Sequence, residues 1–456
     1  MYDLIVIGGG PAGYRAAELA GEENLSVLLI EKREVGGVCL NEGCIPTKTL
    51  LYSAKLKDGA EHGEKYGVIA DGITLDHKAV IARKNKVVKT LVAGVKAKLR
   101  AAGVKTVAGE AVVVGRGESF EVKCGEEVHV GKRLLIAAGS VPIVPPIPGI
   151  KEALAAGTAV TSREALDLTA VPQRLVVIGG GVIGLEMASY FTSAGSDVTV
   201  VEMLGSIGGS IDPDIAKLLK KNLEKKGIKF LLGCKVTEVG GGFVKAQYSA
   251  GEKEISCDLV LLSAGRRAAS DGLGLDKIGV LTERGAVVTD EKMCTNIPGV
   301  YAAGDINGKS MLAHTAYREA EVAVNGMLGR ADRMDYRAVP GVIYTSPEVA
   351  GVGETEESAK AGGMEYKSGT VSMRFSGRYL AENEGGDGIA KILIDSRGRI
   401  AGLHMIGSYV SEIIYGASMM IGSEMTPEQV KKTIFPHPTV SEIIKECVFM
   451  GGSQKA

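Results

Sequence analysis

The chain has 456 residues, and a length of roughly 150 residues per domain predicts about three domains. Lys and Arg number 53 and Asp and Glu 54, so the formal charge of −1 excludes a general attraction to nucleic acid or to an anionic membrane. The longest uncharged stretch, Leu134 to Ile150, contains four prolines and cannot form a spanning helix. The start, MYDLIVIGGGPAG, lacks the features of a signal peptide. We therefore expect a cytoplasmic protein.

The contents of glycine and cysteine are also informative. Glycine makes up 63 of the 456 residues, nearly twice the usual share of about 7 %, which predicts many turns and close backbone approaches. The seven cysteines form an odd, sparse set, and this argues against the disulfide framework of a secreted protein.

The elements follow in chain order. Apolar periodicity predicts helices over Pro11 to Ala20, Pro46 to Leu56 and Asp76 to Ala102. The apolar positions predicted for the third helix are Val80, Val87, Leu91, Val95 and Leu99. Prolines between residues 142 and 149 predict a linker, and the apolar run before Gly265 predicts a strand. From about Arg337, alternating strands followed by the helical IIYGASMMIG predict an α+β domain.

One pattern occurs twice, in Asp3 to Glu31 and in Arg174 to Glu202. Each copy has an apolar strand, three glycines, a helical stretch, a second strand and a final Glu that lies 23 residues after the first glycine. The glycines are Gly8, Gly10 and Gly13 in the first copy and Gly179, Gly181 and Gly184 in the second. This is the full fingerprint of a dinucleotide-binding unit.

The physical basis of that fingerprint is phosphate binding at a helix N-terminus. The glycines let the backbone approach a pyrophosphate, and Glu31 would accept hydrogen bonds from ribose hydroxyls. The alternative is a tight turn that binds nothing. In the second copy, Met203 to Gly208 contains no Arg or Lys beside Glu202, which favours NAD over NADP.

Cys39 and Cys44 stand five residues apart in GGVCLNEGCIPTK. In an ideal helix their Cα atoms would be about 8.6 Å apart, beyond the roughly 7 Å limit for a disulfide. A bridge therefore needs a distorted segment, which Gly43 makes possible. Two unrelated thiols are the alternative, and a zinc site is not predicted because the nearest histidine is His62.

FPHPTVSE, near the C-terminus, holds His437 between two prolines, with Glu442 five residues later. An imidazole oriented by a carboxylate suits a general acid or base near neutral pH. Taken alone, the alternative of an ordinary surface histidine is the stronger reading.

These motifs together resemble one family. GGGPAG, GGVCLNEGCIPTK, GGGVIGLE, TNIPGVYAAGD and HPTVSE, in this order, are similar to those of the FAD-dependent pyridine nucleotide-disulfide oxidoreductases, and the resemblance covers nearly the whole chain. Glu202 and CLNEGCIP resemble the members that oxidise dihydrolipoamide more than glutathione reductase. The alternative is another NAD(P)H-dependent flavin disulfide reductase.

The resemblance implies an α/β fold with two Rossmann-like domains and a C-terminal α+β dimerisation domain. It implies an FAD-binding domain over residues 1–142 and 266–336, an NAD-binding domain over 143–265 and a dimerisation domain over 337–456. The residues implied for FAD are Gly8, Gly10, Gly13, Glu31, Lys48, Ala111, Asp305 and Ala313. Those implied for NAD are Gly179, Gly181, Val182, Gly184, Glu202, Val236 and Gly265, whereas Glu186 is implied to pair with Lys48 beside the flavin.

The resemblance also implies the catalytic roles. Cys44 is the thiol against the flavin and Cys39 the one exposed to substrate, while His437, oriented by Glu442, is the base in a homodimer. The implied partner is a lipoyl-bearing carrier protein of a 2-oxo acid dehydrogenase or glycine cleavage system, with no role for nucleic acid or membrane. The chain departs from its relatives at Phe435-Pro436 and at Arg267-Ala268-Ala269, and neither change removes a reacting group.

Overall fold

Strands and helices alternate along most of the chain in the computed structural model, which describes residues 1–249 and 251–451. The chain divides into two units. The first comprises Met1–Thr49, Ala79–Ile143 and Gly265–Asp335. The second comprises Leu50–Lys78, Val144–Ala264 and the chain from Tyr336 onward.

The elements have the following bounds. Those before residue 143 are β1 (Leu4–Ile7), α1 (Pro11–Glu22), β2 (Val27–Glu31), α2 (Gly37–Glu42), α3 (Cys44–Glu61), α4 (His77–Ala101), β3 (Lys105–Ala108), β4 (Ala111–Arg116), β5 (Phe120–Cys124), β6 (Glu127–Gly131), β7 (Leu134–Ile136) and β8 (Ser140–Pro142). Those from residue 150 to residue 268 are α5 (Ile150–Ala156), β9 (Ala159–Thr161), α6 (Ser162–Ala165), β10 (Arg174–Ile178), α7 (Val182–Ser193), β11 (Asp197–Glu202), α8 (Pro213–Lys225), β12 (Lys229–Leu232), β13 (Lys235–Gly240), β14 (Phe243–Tyr248), β15 (Gly251–Ser256), β16 (Leu259–Leu262) and β17 (Arg266–Ala268). The remainder are β18 (Thr282–Glu283), β19 (Ala286–Val287), β20 (Val300–Ala302), α9 (Ala313–Met327), β21 (Gly341–Ile343), β22 (Glu348–Gly353), α10 (Glu356–Ala361), β23 (Tyr366–Ser372), α11 (Gly377–Glu382), β24 (Ile389–Asp395), β25 (Ile400–Gly407), α12 (Val410–Gly422), α13 (Pro427–Lys431) and α14 (Glu442–Gly451).

The first unit is built on a parallel sheet in the order β20-β7-β1-β2-β3. All four residues of β1 are buried, because a parallel strand inside an α/β layer is covered on both faces and therefore consists of a continuous apolar run. The antiparallel sheet β4-β5-β6 follows β3 in the chain. This sheet shares one apolar core with the parallel strands.

The second unit contains a parallel sheet of the same kind, in the order β12-β11-β10-β16-β9, and an antiparallel sheet β13-β14-β15. Its C-terminal part is an antiparallel sheet in the order β21-β22-β25-β24-β23. Residues of α12 and α14 share the apolar core of that sheet. The predicted α/β fold with two Rossmann-like sheets and a C-terminal α+β part is confirmed.

The predicted helices are present with shifted ends. α1 ends two residues after Ala20, the helix predicted from Pro46 lies within α3, and α4 ends one residue before Ala102. One predicted core position, Leu91, is wrong, because it is 40 % exposed and Val92 is buried instead. Successive residues point about 100° apart around a helix, so Leu91 and Val92 face different surroundings.

Candidate active site

The first glycine turn joins β1 to α1 and is shaped by two contacts that leave no room for a side chain. Gly8 has φ +102°, and a Cβ there would lie 2.3 Å from the carbonyl oxygen of Ala137. A Cβ on Gly13 would lie 1.8 Å from the carbonyl oxygen of Gly8. At Gly10, in contrast, the nearest atom to a Cβ would be 3.7 Å away. Gly8 and Gly13 thus serve the turn itself, whereas Gly10 leaves open space in front of the helix N-terminus.

The second turn, between β10 and α7, repeats this geometry. Gly179 has φ +108°, and a Cβ there would lie 2.3 Å from the carbonyl oxygen of Ser263. A Cβ on Gly184 would lie 2.1 Å from the carbonyl oxygen of Gly179, and a Cβ on Gly181 would meet nothing within 4 Å. Val182, the first residue of α7, is 38 % exposed.

A carboxylate closes each turn in the same way. The Gly9 amide donates to Oε2 of Glu31 at 2.6 Å, and the Gly180 amide donates to Oε2 of Glu202 at 2.6 Å. The other oxygen of each carboxylate accepts an amide hydrogen two residues after the Glu, at 2.8 Å in both cases. A carboxylate can accept about four hydrogen bonds, so each retains capacity for ribose hydroxyls. An open glycine beside such a carboxylate fits the pyrophosphate and ribose of a dinucleotide in both turns.

The two predicted redox cysteines lie on either side of a helix break. α2 ends at Glu42, Gly43 has φ −151° and ψ −107°, and α3 begins at Cys44. A Cβ on Gly43 would lie 2.9 Å from the carbonyl oxygen of Val38, so this conformation requires glycine. The break brings the thiols of Cys39 and Cys44, which are not bridged, into hydrogen-bond contact. The predicted distortion at Gly43 is confirmed.

The Cys39 thiol is held in its protonated form. Its pKa is raised above the ordinary value, first by the hydrogen bond with Cys44, then by burial and by the negative charge of Cys44, while the Lys48 ammonium opposes the rise. Removing both protons from adjacent thiols would place two negative charges side by side. The dithiol therefore retains one proton more readily than either thiol would alone.

A pair of tyrosines, which sequence reasoning missed, lies close to this dithiol. The hydroxyls of Tyr14 and Tyr317 share a short hydrogen bond, and their rings are edge to face with centroids 5.8 Å apart. The pKa of Tyr14 is raised by burial, by the bond to Tyr317 and also by the charge of Cys39. Tyr14 directly follows Gly13 of the fingerprint and could have been noticed, whereas no local pattern marks Tyr317.

Asp305, predicted to hold part of FAD, belongs to a second group that the sequence did not reveal. The hydroxyl of Ser140 donates to Oδ2 of Asp305, and Nε of Arg266 donates to that hydroxyl at 2.8 Å. Burial lowers the pKa of Arg266, and the charge of Asp305 opposes this shift. The charges of Cys44 and Asp305 both act on this guanidinium, so Asp305, Arg266 and the dithiol lie within electrostatic reach of one another.

The remaining residues predicted for the cofactors occupy ordinary structural positions. Ala111 begins β4 and Ala313 begins α9. Val236 is buried in β13, and Gly265 has φ +105° just before β17. Glu186 is buried in α7, where its Oε1 accepts the amide hydrogen of Tyr344 at 2.9 Å. Their roles toward a cofactor, and the pairing of Glu186 with Lys48, stay predictions.

His437 and Glu442 form the predicted pair. The Nδ1 hydrogen of His437 is donated to Oε1 of Glu442 at 2.9 Å, and Oε2 of Glu442 accepts the Thr439 amide hydrogen at 2.9 Å. The Thr439 amide and His437 together lower the pKa of Glu442. Because Nδ1 is the donor, Nε2 is the basic nitrogen, and the His437 side chain is 77 % exposed. The geometry suits a base that acts on an external group.

Membrane-spanning helices and metal sites are two further features to consider. Among residues 1–249 and 251–451, no helix is both long and apolar enough to cross a membrane. In the same described residues, no cluster of three or more His, Cys, Asp or Glu side chains is arranged to hold a metal ion.

Comparison with protein families gives two matches. A model described as "Pyridine nucleotide-disulphide oxidoreductase" matches residues 2–320. A second model, described as "Pyridine nucleotide-disulphide oxidoreductase, dimerisation domain", matches residues 339–448.

Individual proteins are similar over nearly the full length. A dihydrolipoyl dehydrogenase of Mycoplasma pneumoniae is 38 % identical over 98 % of this chain and 97 % of that protein. Among solved structures, LpdA from Mycobacterium tuberculosis has a TM-score of 0.88 and 26 % identity, covering 98 % of this chain and 99 % of that one. RclA from Escherichia coli, an HOCl-induced flavoprotein disulfide reductase, has a TM-score of 0.86 and 27 % identity, covering 100 % of both chains.

Proposed function

Since the chain belongs to the pyridine nucleotide-disulphide oxidoreductase family, we propose that it oxidises protein-bound dihydrolipoamide to lipoamide with NAD⁺, as a dihydrolipoyl dehydrogenase. The observation that carries the chemistry is the Cys39–Cys44 thiol pair across the Gly43 break, in the same unit as the first glycine turn. The choice of substrate rests on the near full-length similarity to dihydrolipoyl dehydrogenase.

The thiol pair performs the exchange with substrate. In the disulfide form, a dihydrolipoamide thiolate attacks the Cys39 sulfur and releases Cys44 as a thiolate, which leaves a mixed disulfide between Cys39 and the substrate. The second substrate thiolate then attacks the substrate sulfur of that mixed disulfide, so that lipoamide closes and Cys39 leaves, giving the Cys39–Cys44 dithiol. Only a thiolate attacks a disulfide efficiently, so each attack needs a base. We assign that role to Nε2 of His437, with Glu442 orienting the ring and stabilising the imidazolium that forms.

FAD would be held by Gly8, Gly10, Gly13, Glu31 and Asp305, and NAD by Gly179, Gly181, Gly184 and Glu202. When bound, FAD would supply an acceptor for the two electrons of the dithiol and a hydride donor for NAD⁺. The carboxylates of Glu31 and Glu202 can accept hydrogen bonds beyond those from the turn amides. Through these additional hydrogen bonds each would orient a ribose. The second glycine turn is thereby explained, because the reaction uses two dinucleotides.

The assembly we propose is a homodimer in which His437 of one copy serves the dithiol of the other. The match of residues 339–448 to a dimerisation domain supports this assembly. We propose residues 1–142 and 266–336 as the FAD-binding domain, 143–265 as the NAD-binding domain and 337–456 as the dimerisation domain. The partner is a lipoyl-bearing carrier protein, and the place of action is the cytoplasm, which the sparse cysteine content favours.

The decisive test is anaerobic stopped-flow spectroscopy of the FAD-loaded protein mixed with dihydrolipoamide and then with NAD⁺. We expect a long-wavelength absorbance from the Cys44 thiolate beside the flavin, which decays as NADH appears. If dihydrolipoamide leaves the spectrum unchanged while NADH reduces the flavin, the substrate assignment is wrong.

A second candidate is another NAD(P)H-dependent flavin disulfide reductase, which the similarity to RclA over the full length favours. A panel of small and protein disulfides with NADH or NADPH separates the two functions. Faster turnover of any such disulfide than of lipoamide supports this second candidate.

A further inference from the structure

α4 has an unusual charge composition. It contains eight cationic residues and no Asp or Glu, in a chain whose net charge is −1. The cationic residues are Lys78, Arg83, Lys84, Lys86, Lys89, Lys96, Lys98 and Arg100. A basic helix of this kind is often only a solvated face, so its geometry and its ion pairs decide whether it does more.

Four of these cations form one row, which we call the α4 cation stripe: Lys86, Lys89, Lys96 and Arg100. At 100° per residue they fall within about 80° of the helix circumference, and they extend along about 21 Å of its axis. All four are exposed, whereas Val92 and Leu99, about 80° and 100° around the helix from the centre of the stripe, are buried. The stripe is therefore a fixed line of positive charge on a helix that the core holds in place.

The stripe differs from the other lysine-rich helix of the protein. In α8, Lys220 pairs with Glu224 at 2.5 Å, and Lys221 and Lys225 pair with Asp387 at 3.0 and 3.1 Å. Among residues 1–249 and 251–451, Lys96 is the one member of the stripe with such a partner, Glu34 at 2.9 Å. Lys86, Lys89 and Arg100 are thus available to an external anion.

The C-terminal half of α4 lies beside the segments that flank the dithiol. Lys96 pairs with Glu34, which is five residues before Cys39. Lys98 approaches Glu18 of α1 at 3.3 Å, and the charges of Glu18 and Cys39 both act on the Tyr14 hydroxyl. The stripe therefore leads along the surface toward the segment that carries Cys39.

We propose that the α4 cation stripe is the docking surface for an acidic carrier protein that presents its dihydrolipoyl group to Cys39. This inference rests on the proposed function and names the surface chemistry of the substrate carrier. A row of exposed cations, three of which have no ion-pair partner among residues 1–249 and 251–451, attracts a negatively charged partner and increases its association rate. A protein suits the stripe better than a single-stranded nucleic acid because α4 offers no Phe, Tyr or Trp side chain for base stacking.

The test compares a carrier-borne substrate with a free one. The probes are a reduced lipoyl domain of net negative charge and free dihydrolipoamide, each with NAD⁺ and the FAD-loaded enzyme. The variant is Lys86→Ala/Lys89→Ala/Arg100→Ala, in which alanine keeps the helix propensity high. The matched control, Lys151→Ala/Lys217→Ala/Lys253→Ala, removes three exposed lysines outside α4.

For the stripe variant, we expect kcat/KM with the reduced lipoyl domain to fall about tenfold at low ionic strength. The difference from the wild type should shrink as NaCl rises toward roughly 500 mM, because salt screens exposed charges. Turnover of free dihydrolipoamide should stay unchanged, and the control variant should match the wild type with both substrates.

Three results overturn the inference in distinguishable ways. A stripe variant that equals the wild type with the lipoyl domain removes the docking role alone. If that variant keeps its lipoyl-domain turnover but loses binding to a short DNA duplex, the stripe serves nucleic acid instead. A wild type that fails to oxidise free dihydrolipoamide refutes the proposed function, and the inference falls with it.

Discussion

The two dinucleotide-binding turns of this chain are structural repeats, and the contrast between their surroundings explains which part carries chemistry. In each unit the central strand is followed by a glycine turn, a helix, a second strand and a carboxylate that binds the turn. In each, an antiparallel three-stranded sheet lies in the chain between the edge strand, β3 or β12, and the next parallel strand, β7 or β16. The agreement extends to single hydrogen bonds, so the scaffold is the same.

The repeats differ in what connects the second strand to the third. Between β11 and β12 the connection has one α-helix, α8. Between β2 and β3 it has three, α2, α3 and α4, and these contain the dithiol and the cation stripe. A shared scaffold thus serves two dinucleotides, while an insertion in one copy supplies the two thiols to which we assign the exchange with substrate.

The largest expected effect follows from that contrast. Cys44→Ser removes one of the two thiols to which we assign the exchange and leaves both glycine turns unchanged. We expect the rate of lipoamide turnover to fall at least about 1,000-fold, while NADH still bleaches the bound flavin.

The control for this substitution is Cys294→Ser. Cys294 lies neither in the insertion nor in either glycine turn. The control variant should keep full turnover. Retention of full turnover by Cys44→Ser would remove the dithiol from the mechanism.

The second effect concerns the helix break. In Gly43→Ala the new Cβ would lie 2.9 Å from the Val38 carbonyl oxygen, so the backbone must shift and carry the thiols apart. Because a misplacement of about 1 Å costs about 100-fold in rate, we expect a loss of that order in dihydrolipoamide oxidation. The matched control is Gly59→Ala in α3, where a Cβ meets nothing within 4 Å. Equal rates in the two variants would show that the break does not set the thiol geometry.

The third effect separates the two roles of glycine within one turn. At Gly181 the backbone has φ −77° and ψ −177° and a Cβ meets no atom, so Gly181→Ala should fold normally while its methyl group obstructs the pyrophosphate. We expect the Kd for NADH to rise about tenfold or more, equivalent to about 1.4 kcal/mol. FAD content should stay unchanged.

The contrasting variant is Gly184→Ala, whose Cβ would lie 2.1 Å from the Gly179 carbonyl oxygen. Such overpacking typically costs about 1–3 kcal/mol of stability, so its thermal midpoint should fall. If Gly181→Ala binds NADH as the wild type does, the open glycine is not the phosphate site.

The two repeats also show how much of this structure the sequence predicts. The glycines, the carboxylate and the apolar strands of each turn lie within about 30 residues of one another. The sequence alone therefore predicts both turns with their residues. The need for a distortion between Cys39 and Cys44 was also predictable, because helix geometry is fixed. Long-range pairings were not: β20 joins β7 across more than 160 residues of chain, and Tyr317 reaches Tyr14 only through that fold.

The smallest expected effect concerns an ion pair that occurs in both repeats with its acidic and basic partners exchanged. Asp3 pairs with Lys132 at 2.8 Å beside β1 and β7. At the equivalent positions beside β10 and β16, Arg174 pairs with Asp258 at 2.6 Å. The cation and the carboxylate have therefore changed strands. If only the attraction matters, the double variant Asp3→Lys/Lys132→Asp should keep the stability that Asp3→Asn loses.

The lowered pKa of Asp3 determines how its contribution to stability changes with pH. Lys132 and the Ser26 amide lower the pKa of Asp3, so its contribution is present above the unfolded pKa of about 3.9 and is lost as the pH falls through the lower folded value. For an exposed pair the loss in Asp3→Asn should be at most about 1 kcal/mol. Thermal midpoints of the wild type and Asp3→Asn should differ at pH 7 and converge in strong acid. A difference that persists at low pH would show that the Asp3 side chain acts through packing rather than charge.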